Sequence, residues 1–589
     1  MTEQVGPTIP IAVWADEEKY RQPGESYSQK CGRVAGALSD DEKHYAVTKG
    51  ILKSQIFLPG GRVQSAAGSV RQTTAFNCFV MQKVPDSLEG IMKVAREAAV
   101  TMQLGGGVGY DFSDIRPKGA RIKSLGSAAS GPLSFMGIFD ALCKTIASAG
   151  HRRGAQMGCM RVDHPDIMEF ITAKNNSDNL TQFNISVLVT DKFMTAVKED
   201  DAFDLVFEGE VYDTVRARHL WDVILRSTWE WAEPGVIFID RVNQMNNLWY
   251  IEDISATNPC GEQPLPPYGA CLLGSHNLTK FVYEEPSGCR DGSSSRVFSF
   301  DWDKLREAIP PIVRMMDNVI DETIYPLPEQ EEEAKNKRRM GLGITGLGNV
   351  LGALGIPYGS PAAREFVSDV MRFLANECYR ASAFLAKEKG PFPLYDEEKY
   401  LKGEFIKKLD PDVRDAIASY GIRNSHLISI APTGTISLTA NNVSSGIEPV
   451  FSHKYTRTVQ TPDGPMYEEV EDYAYREWGI ECDTADSIPV QDHVAMLCAA
   501  QEWVDSACSK TCNVGDDVTW EEFKSVYMMA YDGGAKGCTT FRAAGKRFGI
   551  LNASAAEEVV EQEVKSDEVE VSGGACYIDV ETGMRTCDM

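Results

Sequence analysis

Residues 183–200, FNISVLVT followed by DKFMTAVKED, set the strongest constraint on the fold. Phe183, Ile185, Val187 and Val189 fall on one face of a strand, and the aspartate behind them caps a helix. Units of this kind recur from about residue 46 to 550; HLISIAPTGTIS (426–437) is another apolar strand running into a Gly/Thr/Ser turn. Regular alternation of strand and helix predicts an α/β architecture. A length of 589 residues then fits about three to four domains or one large barrel with appendages.

The ends differ from this middle. Residues 1–45 are polar and irregular, with room for a short helical cap. Residues 46–550 form the body of alternating strands and helices. YEEPSGCRDGSSSR (283–296) is a polar surface loop carrying Cys289. From 551 to 589 the chain is acidic and poor in aromatics, a flexible linker that ends in CYIDVETGMRTCDM with Cys576 and Cys587.

Composition excludes some classes of partner. The formal charge is −26, from 59 basic and 85 acidic side chains, which argues against a nucleic-acid polymer, whose binding needs clustered Lys and Arg. No basic start followed by an apolar run marks a secretory leader, and no apolar stretch of about 18 residues marks a membrane span. The expected compartment is cytoplasmic. Fifteen cysteines in a chain of this type are expected to be mostly reduced thiols. Cys143, Cys159, Cys378, Cys498, Cys508, Cys512 and Cys538 read as small buried hydrophobes. Cys508 and Cys512 have no second ligand pair nearby, so no metal site is expected.

Three glycine-rich stretches each admit two readings. GLGITG (341–346) matches G-x-G-x-x-G but follows a charged, helix-favouring run instead of a strand, so close backbone packing is preferred to dinucleotide binding. APTGTIS (431–437) lacks the P-loop lysine, yet its amides and the hydroxyls of Thr433, Thr435 and Ser437 suit an anion; an ordinary strand-to-helix turn is the alternative. QLGGGVGYDFSDIRPKGARIKS (103–124) combines Gly105, Gly106, Gly107 and Gly109 with Arg116, Lys118, Arg121 and Lys123, either a ligand-approach loop or a solvated one.

NPCGEQPLPPYGAC (258–271) is the richest segment. In an extended chain Asn258, Cys260 and Glu262 project to one face. A thiol hydrolase would need a base for Cys260, and His276 is the nearest histidine, sixteen positions away. The alternative is hydrogen-atom chemistry: a neutral, buried Cys260 that becomes a thiyl radical, with Glu262 as base toward a substrate hydroxyl. Prolines and glycines would hold the loop rigid and dry. A buried structural cysteine remains the plain reading.

These motifs together resemble ribonucleotide reductases, most closely the adenosylcobalamin-dependent class II enzymes. NPCGEQPLPPYGACLLGSHNL is similar to the family's finger loop. RRGAQMGCMRVDHPDIMEF, RRMGLGITGLGNVLGALGI, APTGTISLTANNVSSGIEPVF, QEWVDSACSKTCN and KGCTTFR are similar to its other landmarks, in the same order. The resemblance covers about residues 50–545 and implies a ten-stranded α/β barrel of two five-stranded halves around a central finger loop, with a flexible C-terminal tail.

By that resemblance Cys260 is the transient thiyl that takes the ribose 3′-hydrogen, Glu262 the base on the 3′-hydroxyl, and Asn258 an amide bonding the sugar. Cys78 and Cys271 are the reducing pair that ends as a disulfide. Thr433, Gly434, Thr435, Ile436 and Ser437 hold the substrate phosphates. Asp86, Ser87, Leu88 and Arg116 resemble the specificity site for a deoxynucleoside triphosphate effector, with residues around 152–160 relaying its identity. A homodimer is implied, because the chain has no long insertion to replace a partner subunit.

Absences set the subclass. CTTFRAAG lacks the tyrosine pair by which class I large subunits receive a radical from a second protein, and there is no glycyl-radical motif. That leaves adenosylcobalamin as radical source, and the absence of D-x-H-x-x-G implies a cobalamin without a protein histidine on cobalt. The short N-terminus implies no ATP-cone. Cys576 and Cys587, eleven positions apart, resemble the tail pair that passes electrons from a thioredoxin- or glutaredoxin-type reductant. Three rivals stand beside this expectation: a class I large subunit, a Cys/Glu thiol hydrolase, and a nucleotide-binding module without turnover.

Overall fold

The computed structural model describes residues 5–122, 126–148, 152–153, 155–175, 179–286, 296–461, 464–515 and 517–542, and the short strands Cys576–Ile578 and Arg585–Cys587. Most of Cys289's loop and residues 551–575 lie outside the described residues.

Five strands, Cys78–Val80, Gly107–Asp111, Gln156–Arg161, Phe183–Val189 and Gly235–Phe238, pair in chain order and all in parallel. Parallel neighbours need long crossovers. Helices Leu88–Gln103, Pro132–Thr145, Ile167–Thr172, Asp191–Glu199 and Ala217–Trp231 lie in them. Leu88–Gln103 shows why such a helix packs there: Ser87 caps it by accepting from Gly90 N, and Ile91, Val94, Ala95, Ala98 and Met102 form one buried stripe.

A second parallel set begins at Ala270–Cys271, which runs on into Leu273–Asn277, and continues with Gly341–Thr345. Single bridges carry the ladder from Leu342 to Ile428 and from Ile430 to Cys508. Thr511–Val514 and Gly537–Arg542 then pair in parallel. The two sets meet antiparallel twice, at Cys271 opposite Cys78 and at Val236 opposite Cys538.

Outward side chains build two large apolar clusters, one containing Tyr110, Phe183, Ile185 and Val236, the other Leu342, Ile344, Ile428 and Ile430. A third cluster lies among the inward faces and holds Cys78, Cys260 and Cys271 together with Val80, Met157, Leu188, Leu273 and Ala431. The apolar row expected in FNISVLV is present, with Phe183, Ile185, Val187 and Val189 in one cluster and Leu188 in another. The helix behind it is capped by Thr190, not Asp191.

Other expectations need correction. Residues 10–53 hold three helices, Pro10–Tyr20, Tyr27–Ala37 and Glu42–Lys53, more regular than the irregular cap expected, because buried Ile11, Ala15, Val34 and Leu52 give each an apolar side. Gly107–Asp111 is a buried strand and not a ligand loop. At Gly109 a Cβ would sit 2.0 Å from the Thr257 carbonyl oxygen, so this glycine admits the finger loop and not a ligand. GLGITG is likewise a buried strand and turn, as close packing requires.

Candidate active site

The expected extended arrangement of Asn258, Cys260 and Glu262 does not occur. Ala256–Thr257 pairs antiparallel with Pro264–Leu265, and the residues between form a tight turn. Gly261 N donates to Asn258 O at 3.1 Å and Asn258 N to Gln263 O at 3.1 Å, while Gly261 takes φ +84°, which favours glycine. The Asn258 side chain also closes the turn, its Oδ1 accepting from Gln263 N at 2.9 Å. That leaves its Nδ2, buried and without a hydrogen-bond partner among the described residues, as the end that can donate to a ligand.

The turn is anchored to the second strand set. Ala507 N donates to Glu262 O at 2.9 Å and Ser429 Oγ to the same carbonyl at 3.0 Å. Cys260 is 2% exposed and Glu262 fully buried. Cys260 stands in a disulfide here, which differs from the neutral thiol expected.

Cys78 and Cys271 are brought together. They are direct register partners across the antiparallel seam, where opposite Cα atoms lie about 4.5–5.5 Å apart, inside the span a disulfide bridges. Both are reduced and buried. Burial, with Glu262 and Cys78 adding negative neighbours, pushes the Cys271 thiol well up, so it is protonated at neutral pH. Pro259 and Cys78 Sγ both lie against Gly107, which places the turn beside the pair.

His276 is not placed to serve Cys260. Its Nδ1 meets Gly343 O at 3.0 Å and its ring packs edge-on against Phe57. Burial lowers it to about 4, a neutral ring in the wall.

Thr433 to Ser437 form the start of a six-residue helix, Gly434–Thr439, with Thr433 at φ 54°. Two hydroxyls expected to face an anion are already engaged. Thr433 Oγ1 meets Thr345 Oγ1 at 3.0 Å and accepts from Gly446 N at 2.7 Å, and Ser437 Oγ meets Ser445 Oγ at 3.0 Å. The amides of Gly434, Thr435 and Ile436 are the groups a helix start presents. Asn441 ties the far end of this helix to the N-terminal segment by accepting from Thr8 N at 2.6 Å.

Asp86, Ser87, Leu88 and Arg116 are gathered at one place. Arg116 donates to Asp86 through N at 3.0 Å and Nε at 2.6 Å, and Leu88 is 66% exposed at the helix start that Ser87 caps. Strand Cys576–Ile578 pairs antiparallel with Arg585–Cys587, putting Cys576 opposite Cys587 despite their spacing. The second of these strands lies against the Gly434–Thr439 helix.

Sequence reasoning did not single out the recess on the other side of Cys260. It is lined by Gly261, Ala507, Ser509, Lys536, Gly537 and Thr539 among others. Its space, counted with the part open to solvent, is about 510 Å³. Much of its lining comes from the two landmark motifs QEWVDSACSKTCN and KGCTTFR, whose sequence does not by itself disclose a cavity. Among the described residues no cluster of His, Cys, Asp or Glu is arranged to hold a metal ion, and no helix is long and apolar enough to cross a membrane.

The family model for the ribonucleotide reductase barrel domain matches residues 76–541. The chain is similar to a vitamin B12-dependent ribonucleoside-diphosphate reductase of Thermoplasma acidophilum, 37% identical over 86% of this chain and 66% of that protein. A Mycobacterium tuberculosis protein of the same name is 33% identical over 94% of this chain and 80% of its own length. A vitamin B12-dependent ribonucleotide reductase of Streptomyces avermitilis is 28% identical over 89% of this chain and 61% of its own. The chain thus spans about two thirds of the length of the first of these relatives.

Proposed function

The chain belongs to the ribonucleotide reductase family, and we propose that it reduces ribonucleoside diphosphates to 2′-deoxyribonucleotides by thiyl-radical chemistry with adenosylcobalamin as the radical source. The carrying observation is the direct pairing of Cys78 with Cys271 beside the turn of Cys260 and Glu262. The diphosphate and the cobalamin rest on the names of the relatives. The strand pairings support a ten-stranded barrel of two five-stranded halves, closed where the sets meet antiparallel, with residues 258–262 as its inner finger.

In this reading reductant first opens the Cys260 disulfide. Adenosylcobalamin, held where the recess beside Cys260 opens at Gly537 and Thr539, would supply the radical that takes the hydrogen atom from the Cys260 thiol. Cys260 then takes the 3′-hydrogen while Glu262 accepts the 3′-hydroxyl proton and Asn258 Nδ2 holds the sugar. The 2′-oxygen leaves as water with a proton from the thiol pair. Cys78 and Cys271 deliver two electrons and end as a disulfide, and Cys260 returns its hydrogen to C3′. The balance is ribonucleotide plus two thiols giving deoxyribonucleotide, one disulfide and water. A buried, protonated Cys271 suits the proton-donating step.

The amides of Gly434, Thr435 and Ile436 hold the phosphates, with Thr433 and Ser437 fixing the loop. Asp86, Ser87, Leu88 and Arg116 bind a deoxynucleoside triphosphate effector at a homodimer interface. Residues 1–45 are a helical cap, 46–550 the catalytic barrel and 551–589 a redox tail. Cys576 and Cys587, opposite each other and next to the phosphate helix, pass electrons from a thioredoxin- or glutaredoxin-type protein to the active-site disulfide. The compartment is cytoplasmic.

One turnover without external reductant tests the chemistry. In a prereduced C576S/C587S variant, alkylation and peptide mass mapping should find Cys78 and Cys271 joined. Deoxynucleotide formed while both remain alkylated as thiols would refute the assigned pair.

A further inference from the structure

Next to Glu262, the side chain of Gln263 is fully buried, and neither Oε1 nor Nε2 has a hydrogen-bond partner among the described residues. Its backbone is committed, N to Asn258 Oδ1 and O to Asn258 N, so the turn fixes where the amide goes. The opposite wall opens for it: a Cβ on Gly341 would lie 2.2 Å from Gln263 Nε2 and 2.9 Å from Leu273 Cδ2. Leu273 is the register partner of Gly341 and belongs to the inner cluster of Cys260 and Cys271. The amide therefore borders the chamber of the reacting groups.

We propose that Gln263 is a further substrate-binding residue, whose carboxamide hydrogen-bonds the nucleoside part of the bound ribonucleotide. This rests on the reductase reading above. A buried amide with donor and acceptor both unmet is costly, and native interiors keep very few. A methionine would fill the same volume without that cost. Retention of the amide makes sense when a ligand completes it. A phosphate only accepts and would leave Oε1 unmet, whereas a ribose hydroxyl or a base edge both donates and accepts. Asn258 Nδ2, also unmet, stands on the other flank of the turn, so the two amides bracket Cys260 and Glu262.

The test measures CDP binding by calorimetry, together with thermal unfolding and deoxynucleotide formation, in the full-length wild type, Gln263→Met and Gln263→Asn. Q263M should bind CDP about three- to tenfold more weakly, the value of one neutral hydrogen bond, with a Tm equal to or above wild type. Q263N keeps the amide but withdraws it by one methylene and should weaken CDP binding too; it decides the matter if Q263M does not fold. Wild-type CDP affinity in either folded variant overturns the inference. So does a Q263M that melts lower than wild type with unchanged affinity, the signature of a purely structural amide. A wild type that neither binds nor reduces CDP defeats the reductase reading itself, a distinct result.

Discussion

In Asn258 the oxygen closes the turn that carries Cys260, while the nitrogen, without a partner among the described residues, is the end proposed to meet the sugar. Cys260, Glu262 and Asn258 stand out by their spacing and by the family resemblance, but they lie in a turn and not in the extended geometry that the spacing suggests. A period-2 reading cannot foresee a turn that Gly261 makes possible at positive φ. Gln263 left no trace in the sequence, because an amide becomes informative only when its surroundings are seen to lack partners. At this scale Cys260→Ser should abolish deoxynucleotide formation and change ribonucleotide affinity less than twofold or so, since a serine fills the same space but its O–H bond is too strong for hydrogen-atom transfer. Retained turnover in that variant would remove Cys260 from the radical role.

The elements were most legible where apolar periodicity was cleanest, as in Phe183–Val189. They were least legible in glycine-rich runs. Composition there points equally to a loop or to a strand crowded by its neighbours, and only the Thr257 carbonyl against Gly109 decides it. His276, in strand Leu273–Asn277, gives this scale its own prediction. Burial lowers its folded-state value to about 4, against an ordinary value of 6.5. A group whose folded value is depressed contributes stability that is complete above the unfolded value and lost as pH falls. Unfolding free energy should therefore drop between about pH 6.5 and 4 by up to about 3 kcal/mol through this ring. Equilibrium denaturation of wild type and His276→Phe across that range checks it: the variant should show a shallower slope, and identical slopes would place the acid sensitivity elsewhere.

Across the whole molecule, the antiparallel seam that joins the two strand sets places Cys271 opposite Cys78, the proposed reducing pair. The sequence announced an α/β body and the order of its landmarks, but not that Cys576 would lie opposite Cys587 across eleven residues, a pairing that depends on chain reversal. Nor did composition reveal the recess beside Cys260, since small residues become a cavity only in three dimensions. Leu88 and Met92, on the helix that starts at the proposed effector residues, and Ile138, on the helix packed against it, are exposed apolar side chains available to the proposed homodimer. The most direct test is deoxynucleotide formation by the purified chain alone, prereduced with dithiothreitol, supplied with each ribonucleoside diphosphate and effector, with adenosylcobalamin present or omitted. Turnover that depends wholly on the cofactor is the predicted result. Folded protein that forms no deoxynucleotide with the cofactor, or forms it equally well without, would contradict the central claim.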